Sequence, residues 1–167
     1  MSALTLLVIM GVSGAGKTTV GELIAKRLDW PFVDGDDLQP LANINKMRSG
    51  APLTDEDRGP WLAAIGDWLD VRIKAGEPGV VACSALKRAY RDRLRDGRPQ
   101  VRIVYLRGSE SEIAERLARR KGHFWPPRLL ASQFADLEPP GEDEHAIVVD
   151  IEETPEAVAK AVIERLP

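Results

Sequence analysis
The chain has 167 residues, 44% of them apolar and 29% charged, with a net charge of −3. That is the composition of one soluble domain large enough to bury a core; it excludes disorder along its length and argues against a nucleic-acid binder. A single cysteine, Cys83, and two histidines, His123 and His145, exclude an internal disulfide and a multi-cysteine zinc site.

Residues 1–167 read as one domain. Leu4–Met10 is an apolar run of the kind that forms a strand buried on both faces. The longest N-terminal apolar run, Leu4–Val12 with Thr5 and Gly11 interrupting it, is too short to cross a bilayer and lacks the basic flank of a signal peptide, so a cytoplasmic setting is expected. Val20, Leu23, Ile24 and Leu28 follow at helical spacing, then a short strand at Pro31–Val33. Gln39–Gly59 is irregular. Pro60 to Ala75 carries one apolar helical face through Trp61, Ile65, Trp68 and Leu69. A third strand is expected at Gly79–Cys83, a very polar helix at Lys87–Asp96 and a fourth strand at Arg102–Leu106. Ser109 and Glu112 form a capping-box pattern opening a helix to about Arg120. Another helical piece starts at Pro126 and Pro127, and a fifth strand lies at Ile147–Ile151. Thr154 and Pro155 have the N-cap and first-turn chemistry of a last helix reaching Leu166. Alternating strands and helices predict an α/β domain with a parallel sheet covered on both faces.

Charge is unevenly spread. Residues 87–128 hold 13 Lys and Arg against 5 Asp and Glu, whereas the rest holds 10 against 21. A basic zone on an acidic protein suits a small anionic ligand, although a solvated helix surface reads the same way.

Directly after the first strand stands Gly11-Val12-Ser13-Gly14-Ala15-Gly16-Lys17-Thr18, the G-x-x-x-x-G-K-[ST] phosphate loop in its strand-to-helix setting. Its glycines let backbone N–H groups surround phosphate oxygens, and the following helix adds its positive end. Lys17 is expected to reach the terminal phosphates of ATP, Thr18 to hold Mg²⁺, and Thr19 to complete the loop. No N-K-x-D guanine motif is present, and the third strand ends without the acid of a motor ATPase. A small-metabolite kinase is favoured. After the second strand, Asp34-Gly35-Asp36 sets two carboxylates two residues apart. Asp36 is assigned to the acceptor hydroxyl and Asp34 to the metal's outer shell. The alternative is an acidic turn, in which Asp37 faces solvent or caps a helix.

From about Leu7 onward the chain resembles the bacterial-type gluconate kinases of the shikimate-kinase-like branch. The resemblance rests on Gly11–Thr18, Asp34-Gly35-Asp36, Asn43–Met47, Asp55–Trp61 with its Asp-Arg-x-Pro-Trp pattern, Cys83–Lys87 with Tyr90-Arg91-Asp92, Arg120–Phe124, and Gln133-Phe134 with Leu137-Glu138-Pro139. It implies a three-layer P-loop kinase fold with a five-stranded parallel sheet and a mobile lid. It implies ATP-dependent phosphorylation of D-gluconate at its 6-hydroxyl, and often a homodimer. Residues 39–59 become the candidate substrate-binding segment and 120–143 the candidate lid region.

Within that frame Arg58 is the leading group for gripping the acceptor, since a guanidinium binds a carboxylate bidentately; the alternative is an ion pair with Asp55 or Asp57. Ser84, Lys87 and Arg91 follow the third strand and add donors, Lys87 and Arg91 being four apart on one helix face. Arg120 and Lys121 are the lid cations expected to stabilise the transferring phosphoryl group. Arg116, one turn earlier, is assigned to the adenine side. His123 is either a phosphate or substrate contact or a packed loop residue. Cys83 reads as a small buried hydrophobe, and Trp61 and Trp68 as core. Asn43, Lys46 and Arg48 either line the pocket or form a dimer contact. The kinase of another hydroxy acid such as shikimate, and a nucleotide-binding module without turnover, remain alternatives.

Overall fold
The computed structural model describes residues 4–119, 127–152 and 154–167. Five strands, β1 (Leu6–Met10), β2 (Phe32–Asp34), β3 (Gly79–Ala82), β4 (Val101–Arg107) and β5 (Ile147–Asp150), form one sheet in the order β2-β3-β1-β4-β5. All neighbours run parallel, with Val8 of β1 opposite Val81 of β3 and Ile103 of β4. Among the described residues the helices are α1 (Lys17–Leu28), α2 (Leu41–Arg48), α3 (Asp55–Ala75), α4 (Arg88–Arg95), α5 (Glu110–Arg119), α6 (Pro127–Asp136) and α7 (Pro155–Glu164).

The strand period of two divides the core. Leu7 and Ile9 of β1 face one layer with Ile24 of α1, Ile113 of α5 and Val162 of α7. Leu6, Val8 and Met10 face the other, with Ile65 and Leu69 of α3 and Leu94 of α4. The strands thus bury both faces, as the continuous apolar run requires. No helix among the described residues is long and apolar enough to cross a membrane.

The largest departures from expectation lie between Gln39 and Pro60. α3 starts at Asp55, not Pro60, because Thr54 and Asp57 close a capping box: Asp57 N–H donates to Thr54 Oγ1 at 3.2 Å and Thr54 N–H to Asp57 Oδ2 at 2.8 Å. Pro60 then sits on the exposed side of the second turn. The stretch 39–59 is also more regular than expected, holding α2 and the first turn of α3. Asn43 and Lys46 tie these helices together: the Asn43 amide donates to Gln39 Oε1 at 2.9 Å and to the Asp57 carbonyl at 2.7 Å, and Lys46 pairs with Asp57 at 2.6 Å. The Lys46 ammonium, with the Thr54 N–H, holds Asp57 ionised, its carboxyl lowered to about 2. Elsewhere local chemistry is as read. Ser109 and Glu112 exchange both capping bonds, and Thr154 caps α7 with Pro155 at its first turn.

Candidate active site
Strand order reverses between β1 and β3, and the carboxyl ends of β1, β2 and β3 deliver the phosphate loop, Asp34 and Ser84 to one side of the sheet. That is the crevice where open α/β sheets bind ligands. A cleft of about 410 Å³ lies there.

Its floor is the phosphate loop. Gly14 has φ +88°, and a Cβ on it would stand 2.9 Å from the Leu117 side chain of α5, so both backbone and space demand glycine. Lys17 folds its ammonium over the loop, donating to the carbonyls of Gly11 at 2.9 Å and Val12 at 3.1 Å. Ser13, Gly14, Gly16, Lys17, Thr18 and Thr19 line the cleft. Gly11 and Ala15 do not; Ala15 packs into the core beneath, and Gly11 donates its N–H to the Ser84 carbonyl at 3.3 Å.

Thr18 Oγ1 donates to Asp34 Oδ2 at 2.8 Å. The other Asp34 oxygen caps the 3-10 turn Gly35–Leu38 by accepting the Asp36 N–H at 2.9 Å. Asp34 therefore caps a turn, as its alternative reading has it, and also faces the Thr18 hydroxyl. A hydroxyl beside a carboxylate is a hard oxygen pair, the donor chemistry that suits Mg²⁺ bound with phosphates. Asp36 opens into the cleft, yet the surrounding walls desolvate it, and with the Asp34 charge this raises its carboxyl above the usual range. Lys17 opposes the rise and Asp37 adds slightly to it.

Trp61 holds this turn in place. Its indole N–H donates to the Gly35 carbonyl at 2.8 Å, while the ring is buried and also walls the cleft. The core reading of Trp61 was correct but incomplete. Gly35 itself sits so near β3 that a Cβ would stand 2.5 Å from the Ala82 carbonyl. Cys83, at the end of β3, is buried, and desolvation pushes its thiol up to about 12.

Arg58 lines the opposite wall with its side chain 16% exposed. Nη1 donates to Tyr90 Oη at 2.8 Å and lies 3.8 Å from Asp55; Nη2 lies 4.0 Å from Asp136 of α6. The guanidinium thus stands at the cleft and is loosely paired with Asp55, as the ion-pair alternative has it. Tyr90 in turn donates to Asp55, and these bonds hold the Asp55 carboxyl below its usual range. Ser84 lines the cleft.

Lys87 and Arg91 do not line it. α4 begins at Arg88, which leaves Lys87 as an extended N-cap residue whose ammonium pairs with Asp55 at 3.1 Å. The helical spacing argument therefore fails at its first residue. Arg91 is fully buried on the far side of the loop. Its guanidinium donates to both Glu144 oxygens at 2.8 and 3.1 Å and to the carbonyls of Ala85 at 2.9 Å and Leu86 at 3.1 Å. Arg91 fastens the loop that carries Ser84 and does not present donors to a ligand. Burial alone would raise the Glu144 carboxyl, but the bonds from Arg91 and Gly141 prevail and hold it down at about 2.

Arg116 donates to the Ile151 carbonyl, in the turn after β5, and does not line the cleft. Arg120, Lys121 and His123 lie outside the described residues. Sequence reasoning gave no site role to Gln133, although Gln133-Phe134 stands among the residues that carry the resemblance, nor to Asp136; the Gln133 amide accepts the Ser13 N–H at 2.7 Å and donates to Ser13 Oγ at 3.0 Å, and Asp136 stands 4.0 Å from Arg58. Both sit on α6 and meet partners far away in the chain, so no local spacing announces them.

The parallel sheet, the phosphate loop after its central strand and the Thr18–Asp34 pair define a P-loop kinase fold. A family model described as an AAA domain matches residues 6–140. The gluconokinase of Gluconobacter oxydans (strain 621H) is 52% identical over 157 residues, covering 94% of this chain and 88% of that protein. The thermoresistant gluconokinase of Escherichia coli (strain K12) is 46% identical, covering 94% and 90%. The crystal structure of a gluconokinase from Sinorhizobium meliloti 1021 superposes with a TM-score of 0.91 at 47% identity, covering 99% of this chain and 93% of that one. The chain belongs to the gluconokinase family, and it is a small-molecule kinase.

Proposed function
We propose that this chain moves the γ-phosphoryl group of ATP to the 6-hydroxyl of D-gluconate, giving 6-phosphogluconate. The observation that carries the reading is a single cleft holding the phosphate loop, the Thr18–Asp34 oxygen pair, the Asp36 carboxylate and the Arg58 guanidinium. The relatives are named for gluconate, which supports that acceptor.

When bound, Mg·ATP supplies the phosphoryl group and neutralises its charge. Thr18 and Asp34 would hold the cation, one directly and one through its outer shell. Lys17 brings its ammonium from the loop carbonyls to the phosphate oxygens, and the loop N–H groups from Gly14 to Thr19 fix them. Asp36 accepts the proton of the attacking hydroxyl as the new O–P bond forms and the bond from the γ-phosphorus to the bridging oxygen breaks, with ADP as the leaving group; its raised basicity suits that role. Arg58 anchors the acceptor carboxylate, and Ser84 donates to its hydroxyls. Arg116 supports the turn after β5, which we assign to the adenine side. Arg120 and Lys121 are assigned by resemblance to the charge of the transferring group, and His123 to the substrate.

A coupled ADP-release assay with Mg·ATP tests this, comparing D-gluconate with shikimate, glucose and nucleoside monophosphates. Gluconate-selective turnover that disappears on chelating Mg²⁺ is expected. Selective turnover of another acceptor would overturn the substrate assignment while keeping the phosphate-loop chemistry; binding of ATP without turnover of any acceptor would overturn both. The homodimer implied by the resemblance is read from light scattering of the same preparation.

A further inference from the structure
We infer that α6 couples the two halves of the cleft, with Gln133 as the positioning residue that ties it to the phosphate loop. The inference rests on the two-substrate reading above. A primary amide that accepts from one residue's N–H and donates to the same residue's hydroxyl fixes position and orientation together. Moving α6 by an ångström breaks both bonds. Three residues further on, and so on the same helix face, Asp136 stands 4.0 Å from Arg58. One turn of helix therefore reaches the phosphate loop with one side chain and the acceptor wall with the other.

The rest of α6 is placed to transmit this. Its chain leaves into Glu138, whose N–H donates to the Leu86 carbonyl at 2.8 Å and whose carboxylate accepts the Arg88 N–H at 2.8 Å. The helix is thus moored to the β3–α4 loop that carries Ser84. On the loop side, Gly14 rests against Leu117 and Ile113 of α5, the helix that packs on α6. A nucleotide that fixes Ser13 and Gly14 fixes Gln133, and with it the spacing between Asp136 and Arg58. Linkage makes the effect reciprocal: an acceptor that engages Arg58 must favour the same arrangement of the loop.

Calorimetric titration of D-gluconate into the protein, with and without saturating Mg·ADP, measures the coupling. The wild type is expected to bind gluconate about 5- to 20-fold more tightly with nucleotide present, in the usual range of such couplings. Gln133→Met keeps the shape of the side chain and loses both polar contacts; the ratio should fall below about 2-fold. Gln133→Asn, too short to span the gap, should do the same, which guards against a folding defect peculiar to one variant. Asp136→Asn should also lower the ratio, and combining it with Gln133→Met should lower it no further, because both cut one path. A wild type without coupling, or a Gln133→Met protein that keeps it, overturns the proposal. A second readout needs no gluconate: Mg·ADP alone should slow amide exchange across residues 129–137 in the wild type and not in Gln133→Met. Equal slowing in both overturns the inference even where gluconate proves to be the wrong acceptor, whereas failure of gluconate to bind with the exchange difference intact overturns only the substrate assignment.

Discussion

Replacing Arg91 by Met removes a guanidinium that is fully buried and makes four hydrogen bonds. Met fills much of the volume, so the cost is electrostatic. Glu144, its side chain 1% exposed, would keep only Arg95 at 2.8 Å and the Gly141 N–H at 2.9 Å. Stranding one partner of a buried ion pair costs about 3–5 kcal/mol. The surviving Arg95 contact puts the expected loss near the lower bound, about 3 kcal/mol. For a chain of this size that is a fall of about 6–12 °C in Tm. Differential scanning calorimetry measures it, beside the KM for gluconate taken well below the transition. Adding Glu144→Gln should recover part of the loss, since no charge is then left unpaired. If Arg91→Met cost less than about 1 kcal/mol while the gluconate KM rose about tenfold (roughly 1.4 kcal/mol), Arg91 would be an acceptor ligand and the structural assignment would fail.

Three further outcomes follow from two titratable groups. Asp36 must be ionised to take a proton, and desolvation by the cleft walls, with the Asp34 charge, raises its carboxyl above 3.8. The acid limb of kcat/KM should therefore lie above that value and vanish in Asp36→Asn, along with most of the turnover; a limb at or below 3.8 would place the base elsewhere. The same raised value means that ionisation costs the folded state more than the unfolded one. Asp36→Asn should then be the more stable protein at neutral pH, by calorimetry. Glu144 runs the other way: its folded carboxyl lies at about 2 against an ordinary 4.5, so its contribution is complete above 4.5 and is lost as pH falls through 2. Urea stability of the wild type should drop across that window more steeply than that of Glu144→Gln, and parallel curves would refute the pairing.

The layered sheet was legible because its signals are local. A buried parallel strand is an unbroken apolar run, the phosphate loop is eight consecutive residues, and the caps at Ser109 and Thr154 need only a turn of chain. Asp34 meets Thr18 because Asp34 ends β2 and the loop before Thr18 follows β1, and parallel strands bring such ends to one edge of the sheet. The Arg91 reading fails for a physical reason. An Arg four residues after Lys87 on a very polar helix reads as an open donor, and its burial depends on Glu144, 53 residues away. Lys87 was misjudged by one position, since a helix beginning at Arg88 leaves it outside the turn. Gln133 and Ser13 are 120 residues apart, and an amide on a half-buried helix face carries no pattern that points to a backbone N–H.

The burial of Cys83 also has a practical side. It is the sole thiol of the chain, sealed at the end of β3 and held protonated up to about pH 12. Maleimides and disulfide reagents attack the thiolate, so the native protein presents them with almost no target. A cysteine placed at an exposed position of α6, such as Ala135, would carry a fluorophore or spin label without deleting any native residue to silence background. The chain is in effect a ready single-label scaffold, in which movement of one helix can be watched during turnover.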